Sequence, residues 1–498
     1  MNDLNDQMAA RRDKLNRLRN GGIEPYPHSF SRTHSIKEIT GGFNALLADG
    51  ISLRTAGRIS RIAKKGKMTF MDITDESEKI QLVFSKNEIP ESYDTIKALN
   101  HGDIIGTEGI AFLTLTQEKS VRVSAFQILA KSLRPLPVSK QTTDENGNVT
   151  VFDEFTDAEL RYRRRPVDLL LNKNSMTVFA DRSRIISCIR RYLDGCGYAE
   201  VQTPVLQNSY GGANARPFRT SCNALDTDVY LRISNELFLK QCIVGGFPKV
   251  YEIGKDFRNE GIDRTHSPEF TMIEFYETYA DYKDMMKHFE NIFYEAAMAV
   301  HGSPVITYED RKIDLSTPWK RITFYEALQK YAGIDAESSS KDQLASFCKS
   351  SEIDIDESCS KGELLIRIFE ETVEEHLIQP HIVYDYPKES TPLCKTHRDN
   401  PELVEQFEPY INGWEMGNAY TELNDPLRQR QLLTRQSEQG RGGSEDDHPA
   451  DEAFLEALEY GMPPTGGAGI GIDRMVMLIT NSRNIRDVIL FPLMKPVQ

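Results

Sequence analysis

The chain has 498 residues, 39% hydrophobic and 27% charged, an ordinary globular balance with room for roughly three domain-sized units. It has no long uncharged apolar run, which excludes a membrane-spanning helix, and its net charge of −15 argues against a surface that binds nucleic acid throughout. Its seven cysteines are scattered without a C-x-x-C pair, and MNDLNDQMAARRDKLNRLRN lacks the apolar core of a secretory signal, so the chain is expected in the cytoplasm without disulfides or structural zinc.

Residues 3–19 read as a polar helix with a thin stripe of Leu4, Met8, Leu15 and Leu18, ended by Gly21 and Gly22. Residues 51–135 read as five short strands, which predicts a small Greek-key barrel of the oligonucleotide-binding kind. Its opening carries Arg54, Arg58, Arg61, Lys64, Lys65 and Lys67, with no acid between residues 51 and 70. Such a run neutralises phosphates or forms a solvated strand face. Phe70 and Gln81 fall on the second and third strands, where an aromatic ring stacks on a base and an amide reads its edge; a core Phe70 fits as well. VSKQTTDENGNVTVFDEFTD is polar and turn-rich and reads as a linker. From Met176 to Leu193, Val178, Phe179, Ile185, Ile186 and Ile189 recur at helical spacing, and Gly195 and Gly197 close the helix. Ala199 to Leu206 is extended and broken by Pro204, as at an edge or junction. LRISNELFLKQCIVGG reads as a strand entering a helix, with Asn235 as the capping residue.

Val250 to Tyr282 reads as two strands joined by a charged loop, NEGIDRTHSPE, and bears Arg258, Glu260, Arg264, His266, Glu269, Glu274 and Tyr276. Alternating Arg and Glu there fit either a salt-bridged surface hairpin or a site that holds an anion and a cation together. Residues 320–378 hold helical segments, and SEQGRGGSEDDHPADE, from Ser437, reads as a mobile loop without chemistry. Glu408 and Glu415, seven apart, are surface charges or a metal pair. GGAGIGID lacks the βαβ surroundings of a dinucleotide loop, so it reads as a flat strand whose Gly467, Gly469 and Gly471 permit close approach.

GYAEVQTPVL, FRNEG with HSPEFTMIEFY, and GGAGIGIDRMVMLIT resemble, in order, the three motifs of class II aminoacyl-tRNA synthetases of the subgroup that charges Lys, Asp and Asn. GGANARPF, VGGFPKVYEIGKDFRNEGID, EMGNAYTELNDP and NIRDVILFPLMKP are similar to its lysine-charging members, and the resemblance runs from about Ile51 to the end. It implies an α+β fold: an N-terminal helical extension (1–50), an OB-fold anticodon-binding domain (51–136), a linker and leading helix (137–175), and a catalytic domain on an antiparallel sheet (176–498) with a helical insertion at about 320–378. Pro166 stands where the family's leading helix has Tyr, and Asn235 where lysine-charging members often have Pro.

The activity implied is activation of L-lysine by ATP, with Mg2+, to the lysyl-adenylate, and transfer to the 3′ end of tRNA(Lys) by a homodimer joined through residues 176–206. By the same resemblance Arg258 contacts the amino-acid carboxylate and the α-phosphate, and Arg474 the far phosphates. Glu260, His266 and Phe270 line the nucleotide site, with Phe270 under adenine and the glycine strand close by. Glu408 and Glu415 hold Mg2+ against the ATP phosphates. Gly212 and Glu236 serve the α-amino end of lysine, Tyr276 and Glu422 its ε-ammonium, and Glu274, Asn418 and Tyr420 line the pocket. Arg58, Phe70 and Gln81 are the anticodon positions. The alternatives are an aspartyl or asparaginyl enzyme, an inactive synthetase-like RNA-binding protein, and a paralogue that lysylates protein. On residues alone, Glu422 also reads as a turn cap before Asn424-Asp425-Pro426.

Overall fold

The computed structural model describes residues 2–137, 140–143, 149–152, 155–213, 215–356, 358–440 and 451–496. They divide into two units, Met1–Thr156 and Asp157–Gln498.

The first unit opens with helices α1 (Asn2–Asn20), α2 (Ile36–Gly41) and α3 (Phe43–Asp49). Strands β1 (Leu53–Lys65), β2 (Met68–Thr74), β3 (Lys79–Ser85), β4 (Ile104–Leu113) and β5 (Lys119–Ala130) then close into a barrel in the order β1-β2-β3-β5-β4. Alternation along each strand turns Ile59, Ile73, Leu82, Ile105 and Val121 into a sealed interior, capped by Ile36, Ile39 and Phe43. The stripe of α1 is buried only at its C-terminal half, through Leu15 and Leu18. Arg11 donates to the Ser132 carbonyl at 2.6 Å and Lys14 to Asn100 at 2.7 Å, so this helix docks on the barrel rather than trailing from it. The stretch read as a turn-rich linker contains an antiparallel pair, β6 (Lys140–Thr143) with β7 (Val149–Phe152), built from β-branched Thr and Val. Residues 138–139, 144–148 and 153–154 lie outside the described residues.

In the second unit, α4 (Ala158–Arg163), α5 (Arg165–Leu171) and α6 (Lys173–Gly195) come first. Residues 157–175, expected with the linker, belong to this unit. The reason is Arg165, fully buried, which pairs with Asp168 at 2.7 Å and donates to the Arg486, Ile489 and Leu490 carbonyls. Pro166 sits in the first turn of α5, where a missing N–H costs nothing.

Strand β8 (Ala199–Glu200) precedes a small sheet of β9 (Leu206–Gln207), β10 (Arg219–Cys222) and β11 (Thr227–Leu231). Then come α7 (Glu236–Val244), the long hairpin β12 (Lys249–Phe257) and β13 (Glu269–Thr278), α8 (Tyr282–His301) and a hairpin of β14 (Val305–Tyr308) with β15 (Arg311–Asp314). β16 (Lys320–Thr323) is an edge strand, so the helical insertion starts at Phe324 rather than 320, with α9 (Phe324–Ala327), α10 (Lys341–Ser350) and α11 (Lys361–Thr372). β17 (His381–Pro387), β18 (Leu403–Ile411), β19 (Trp414–Glu415) and β20 (Gly417–Thr421) lead to α12 (Pro426–Gly440) and α13 (Glu452–Glu459). β21 (Thr465–Gly471), α14 (Ile472–Ile479) and α15 (Ile485–Val488) end the fold. The loop expected from Ser437 falls largely on residues 441–450, outside the described residues.

These strands build a nine-stranded sheet ordered β16-β17-β18-β20-β21-β13-β12-β8, with β19 on β18, antiparallel except at its two edge pairs. The period of two sorts its faces. Ile273, Phe275, Ala468, Ile470, Ala419 and Phe407 turn to a core under α6, α8 and α14. Their neighbours Glu274, Tyr276, Gly467, Gly469, Asn418, Tyr420, Gln406 and Glu408 turn to the other face, where the cavity lies.

Candidate active site

That face carries a cavity of about 860 Å³. Its lining gathers Gly212, Glu236, Arg258, Glu274, Tyr276, Glu408, Asn418, Tyr420 and Glu422 from six separate stretches of chain. Glu236, Glu274 and Glu422 are all buried. Gly212 has φ +85°, and a Cβ there would stand 2.9 Å from Ser234 Oγ and 3.3 Å from Glu236 Cβ, so only glycine fits the turn. Asn235 stands at the N-cap position just before α7 but its side chain makes no capping bond. Instead its amide, oriented with nitrogen toward Glu274, donates at 2.8 and 3.2 Å, while Ser234 Oγ accepts from the Glu236 N–H.

Glu274 also accepts from Ser234 Oγ at 3.0 Å and from the Tyr276 hydroxyl at 2.9 Å. Tyr276 thus holds the Glu274 carboxyl in place. Burial, with Glu236 and Asp256 nearby, pushes the Glu274 carboxyl up to about 8. Burial also raises Glu422 to about 8, Lys240 opposing and Glu236 adding to the shift. Burial first, with Glu236 nearby, holds the Tyr420 hydroxyl well above its ordinary range. The turn-cap reading of Glu422 is therefore overturned: its side chain is interior and lines the cavity.

Glu260, His266, Phe270, Glu415 and Arg474 lie outside this lining. Arg258, whose N–H closes the hairpin loop on the Pro268 carbonyl at 2.9 Å, lays its guanidinium over Phe270, 5.1 Å from the ring centroid. Glu260 is exposed and accepts weakly from the Arg216 N–H at 3.4 Å. Arg474 donates to the Glu415 carbonyl at 2.7 Å and reaches His266 Nε2 at 3.0 Å. The other His266 nitrogen faces Asp263 at 2.8 Å, which orients the ring. Glu408 accepts from Gln406 and from the Tyr410 hydroxyl. Burial first and Glu415 second push its carboxyl up to about 8, so the two carboxylates sense each other across β18 and β19. This all-oxygen pair suits a hard cation that keeps phosphate or water ligands.

A family model of class II tRNA synthetases (D, K and N) matches residues 157–495. The chain belongs to that family. A second model, the OB-fold nucleic acid binding domain, matches residues 53–136. Among curated relatives, the lysine–tRNA ligase of Pelotomaculum thermopropionicum is 47% identical over 99% of this chain and 96% of its own. That of Carboxydothermus hydrogenoformans is 46% identical over 99% of both, and that of Bacillus subtilis 44% identical over 99% of this chain and 98% of its own.

The barrel of this synthetase presents the remaining sequence-derived residues on one face. The ladder sets Arg58 opposite Thr74, Asp72 opposite both Arg61 and Gln81, and Phe70 opposite Ala63 and Val83. Because paired residues share a face, Arg58, Phe70 and Gln81 lie on the side away from the interior. Phe70 is half-buried and absent from the barrel core, which removes the core reading. Arg58 donates to the Gly102 carbonyl at 2.7 Å, and Gln81 accepts from Ser120 at 3.1 Å.

Three charged residues that pair with or neighbour this candidate site carry no local sequence signal strong enough to single them out. Lys240 is completely buried with Nζ 2.5 Å from both Glu236 and Glu422. Its spacing of four from Glu236 on a helix was the available signal. Glu374, just after α11, accepts from the Tyr410 hydroxyl at 3.2 Å and is raised to about 7 by burial and by Glu415. Arg232 spans Glu252 at 2.6 Å and Asp256 at 3.1 Å, crossing bare Gly254, where a Cβ would meet its Nη2 at 2.0 Å. The glycines of β21 also have a partner other than the adenine expected there: a Cβ on Gly467 would fall 2.1 Å from Glu422 Oε1 and 2.4 Å from Tyr276 Cε1.

Proposed function

We infer that this chain is a lysine–tRNA ligase, which forms lysyl-adenylate from L-lysine and ATP and passes lysine to the 3′ end of tRNA(Lys). The observation that carries the reading is the gathering of three buried carboxylates, Glu236, Glu274 and Glu422, around one cavity. Buried acids need cationic partners, and lysine brings an ammonium at each end. An aspartate or asparagine site has no use for this excess of negative charge. Lys240 does not reverse it, since two of the three carboxylates already share that cation.

In this reading Gly212 and Glu236 take the α-ammonium, and Glu422 with Tyr276 the ε-ammonium. The substrate carboxylate then points toward Arg258, whose fork can bridge it to the α-phosphate. A carboxylate oxygen attacks the α-phosphorus, and the bond to pyrophosphate breaks. Arg474, oriented by the Glu415 carbonyl and His266, neutralises the departing phosphates. Phe270 offers adenine its ring once Arg258 turns to the phosphates. A hydroxyl of the tRNA 3′-terminal ribose next attacks the adenylate carbonyl carbon, and AMP leaves. Glu408 and Glu415 would hold Mg2+, which supplies charge neutralisation at the phosphates when bound.

Arg58, Phe70 and Gln81 would meet the anticodon, by charge, stacking and amide readout. The working form would be a homodimer. Exposed Leu160, Leu170 and Met176 on α4 to α6, and Val205 and Leu206 beyond β8, support an interface there. The seven cysteines are unpaired, which supports a cytoplasmic setting, and among the described residues no helix is long and apolar enough to cross a membrane.

The test is ATP–pyrophosphate exchange with each of the twenty amino acids. Exchange should depend on lysine. Exchange with aspartate or asparagine but not lysine would refute the specificity, and no exchange with any would favour an inactive RNA-binding relative.

A further inference from the structure

Lys240 is a cation that the reaction does not consume, yet it stands between the two carboxylates assigned to the two ends of the substrate. Its side chain is fully buried, and it lies behind the cavity wall rather than in it. Its ammonium binds Glu236 Oε1 and Glu422 Oε2, each at 2.5 Å. Among the described residues, neither Glu422 oxygen accepts a hydrogen bond: Oε2 has the Lys240 ion pair and Oε1 has no partner, although Glu422 is 1% exposed. That oxygen lies beside the bare strip of Gly467 and the Tyr276 ring. Beside this cluster stand Glu274 and Tyr276 on β13, Tyr420 on β20, and buried Cys394, paired to Glu422 as an isolated bridge, while Arg258, assigned to the substrate carboxylate, lines the same cavity. With every carboxylate ionised, the sum is three negative charges from Glu236, Glu274 and Glu422 and one positive from Lys240, a net of minus two.

We propose that Lys240 is a specificity-determining positioning residue: it ties Glu236 to Glu422, leaves one Glu422 oxygen free for the incoming ε-ammonium, and trims the pocket charge to match an amino acid with two ammonium groups. This rests on the lysine reading above. Without Lys240 the same burial would hold three carboxylates and no internal cation. Those carboxyls would then keep their protons to still higher pH, and the oxygen that meets the ligand would no longer be fixed.

The experiment compares the parent, Lys240→Met, Lys240→Gln, Glu422→Gln and the Lys240→Met/Glu422→Gln double variant in ATP–pyrophosphate exchange from pH 6 to 9. Lys240→Met should raise the lysine KM ~tenfold or more at pH 7. It should leave the ATP KM within about twofold and move the lysine kcat/KM profile toward alkaline pH. Because Lys240 acts through Glu422, the double variant should be little worse than Glu422→Gln alone. Lys240→Gln, which keeps a donor, reads the same quantities if the Met variant does not fold. An unchanged lysine KM and pH profile would overturn the proposal. So would equal rises in the lysine and ATP KM values, or additive losses, each of which marks a packing role. If the parent exchanges with a different amino acid, the lysine reading itself fails, whatever Lys240 does.

Discussion

Glu422 combines full burial, one oxygen on Lys240 and one with no donor among the described residues. Replacing it by Gln should preserve the fold and ATP binding while lowering kcat/KM for lysine steeply, since truncating one partner of a buried charge pair costs about 2–5 kcal/mol. Equal lysine activation by Glu422→Gln and parent would remove it from the pocket. The pH dependence has a definite sign. Glu274 and Glu422 rise from 4.5 to about 8, so the stability their protonation adds is complete below about 4.5 and is lost as the pH climbs through 8. Bound lysine replaces those protons with ammonium. The rise in Tm on adding a fixed lysine concentration should therefore grow from pH 6 to about 8, and a flat or falling Tm shift in scanning calorimetry would contradict the assignment. At the metal pair, Glu415→Gln should impair adenylate formation far more than stability. Unchanged exchange at limiting Mg2+ would show that Glu415 is not a ligand.

At the scale of elements, β21 is the tightest constraint. Its glycine side lets Glu422 and Tyr276 cross the sheet, so Gly467→Ala, a single methyl, should abolish lysine activation while the apolar side, Ala468 and Ile470, keeps the sheet intact. Wild-type lysine KM in Gly467→Ala, read by exchange kinetics, would contradict this. On the barrel, Phe70→Ala should weaken tRNA charging, through the loss of about 1–3 kcal/mol of one base stack, and leave lysine-dependent exchange unchanged. A fall in Tm without a change in charging would return Phe70 to a packing role. The barrel and the β12–β13 hairpin were legible in the sequence because a period of two and turn residues are local signals. The residues assigned near the three motifs came from the family resemblance, and nine of them line one cavity. Lys240, Arg232 and Glu374 were not legible, because their importance arises from where long-range packing sets them. Asn235 shows the same limit. Local chemistry made it a helix cap, but a buried carboxylate on β13 offers its amide a stronger partner. The β6–β7 pair was hidden by the polar residues around its few β-branched positions.

For the whole molecule, the remaining question is assembly. Segment 176–206 reads from its periodicity as a helix and junction with one buried stripe, and α6 does bury Val178, Phe179, Ile185, Ile189 and Leu193. That leaves apolar side chains on neighbouring surfaces: Leu170 is 46% exposed, Met176 52% and Leu206 53%. Single exposed leucines are unremarkable, but several on successive elements of one region are what a self-complementary two-fold interface uses. At about 25 cal/mol per Å² of apolar surface, a standard interface of about 1,600 Å² supplies enough to outweigh the entropy of association when its core is well packed. The protein should therefore sediment as a homodimer at micromolar concentration. Met176→Glu with Leu206→Glu would bury unpaired charges in such an interface. That variant should shift toward monomer in analytical ultracentrifugation and lose thermal stability in a concentration-dependent way. A parent that sediments as a monomer at micromolar concentration with full charging activity would refute the interface. A dimer indifferent to both substitutions would move it elsewhere on the surface.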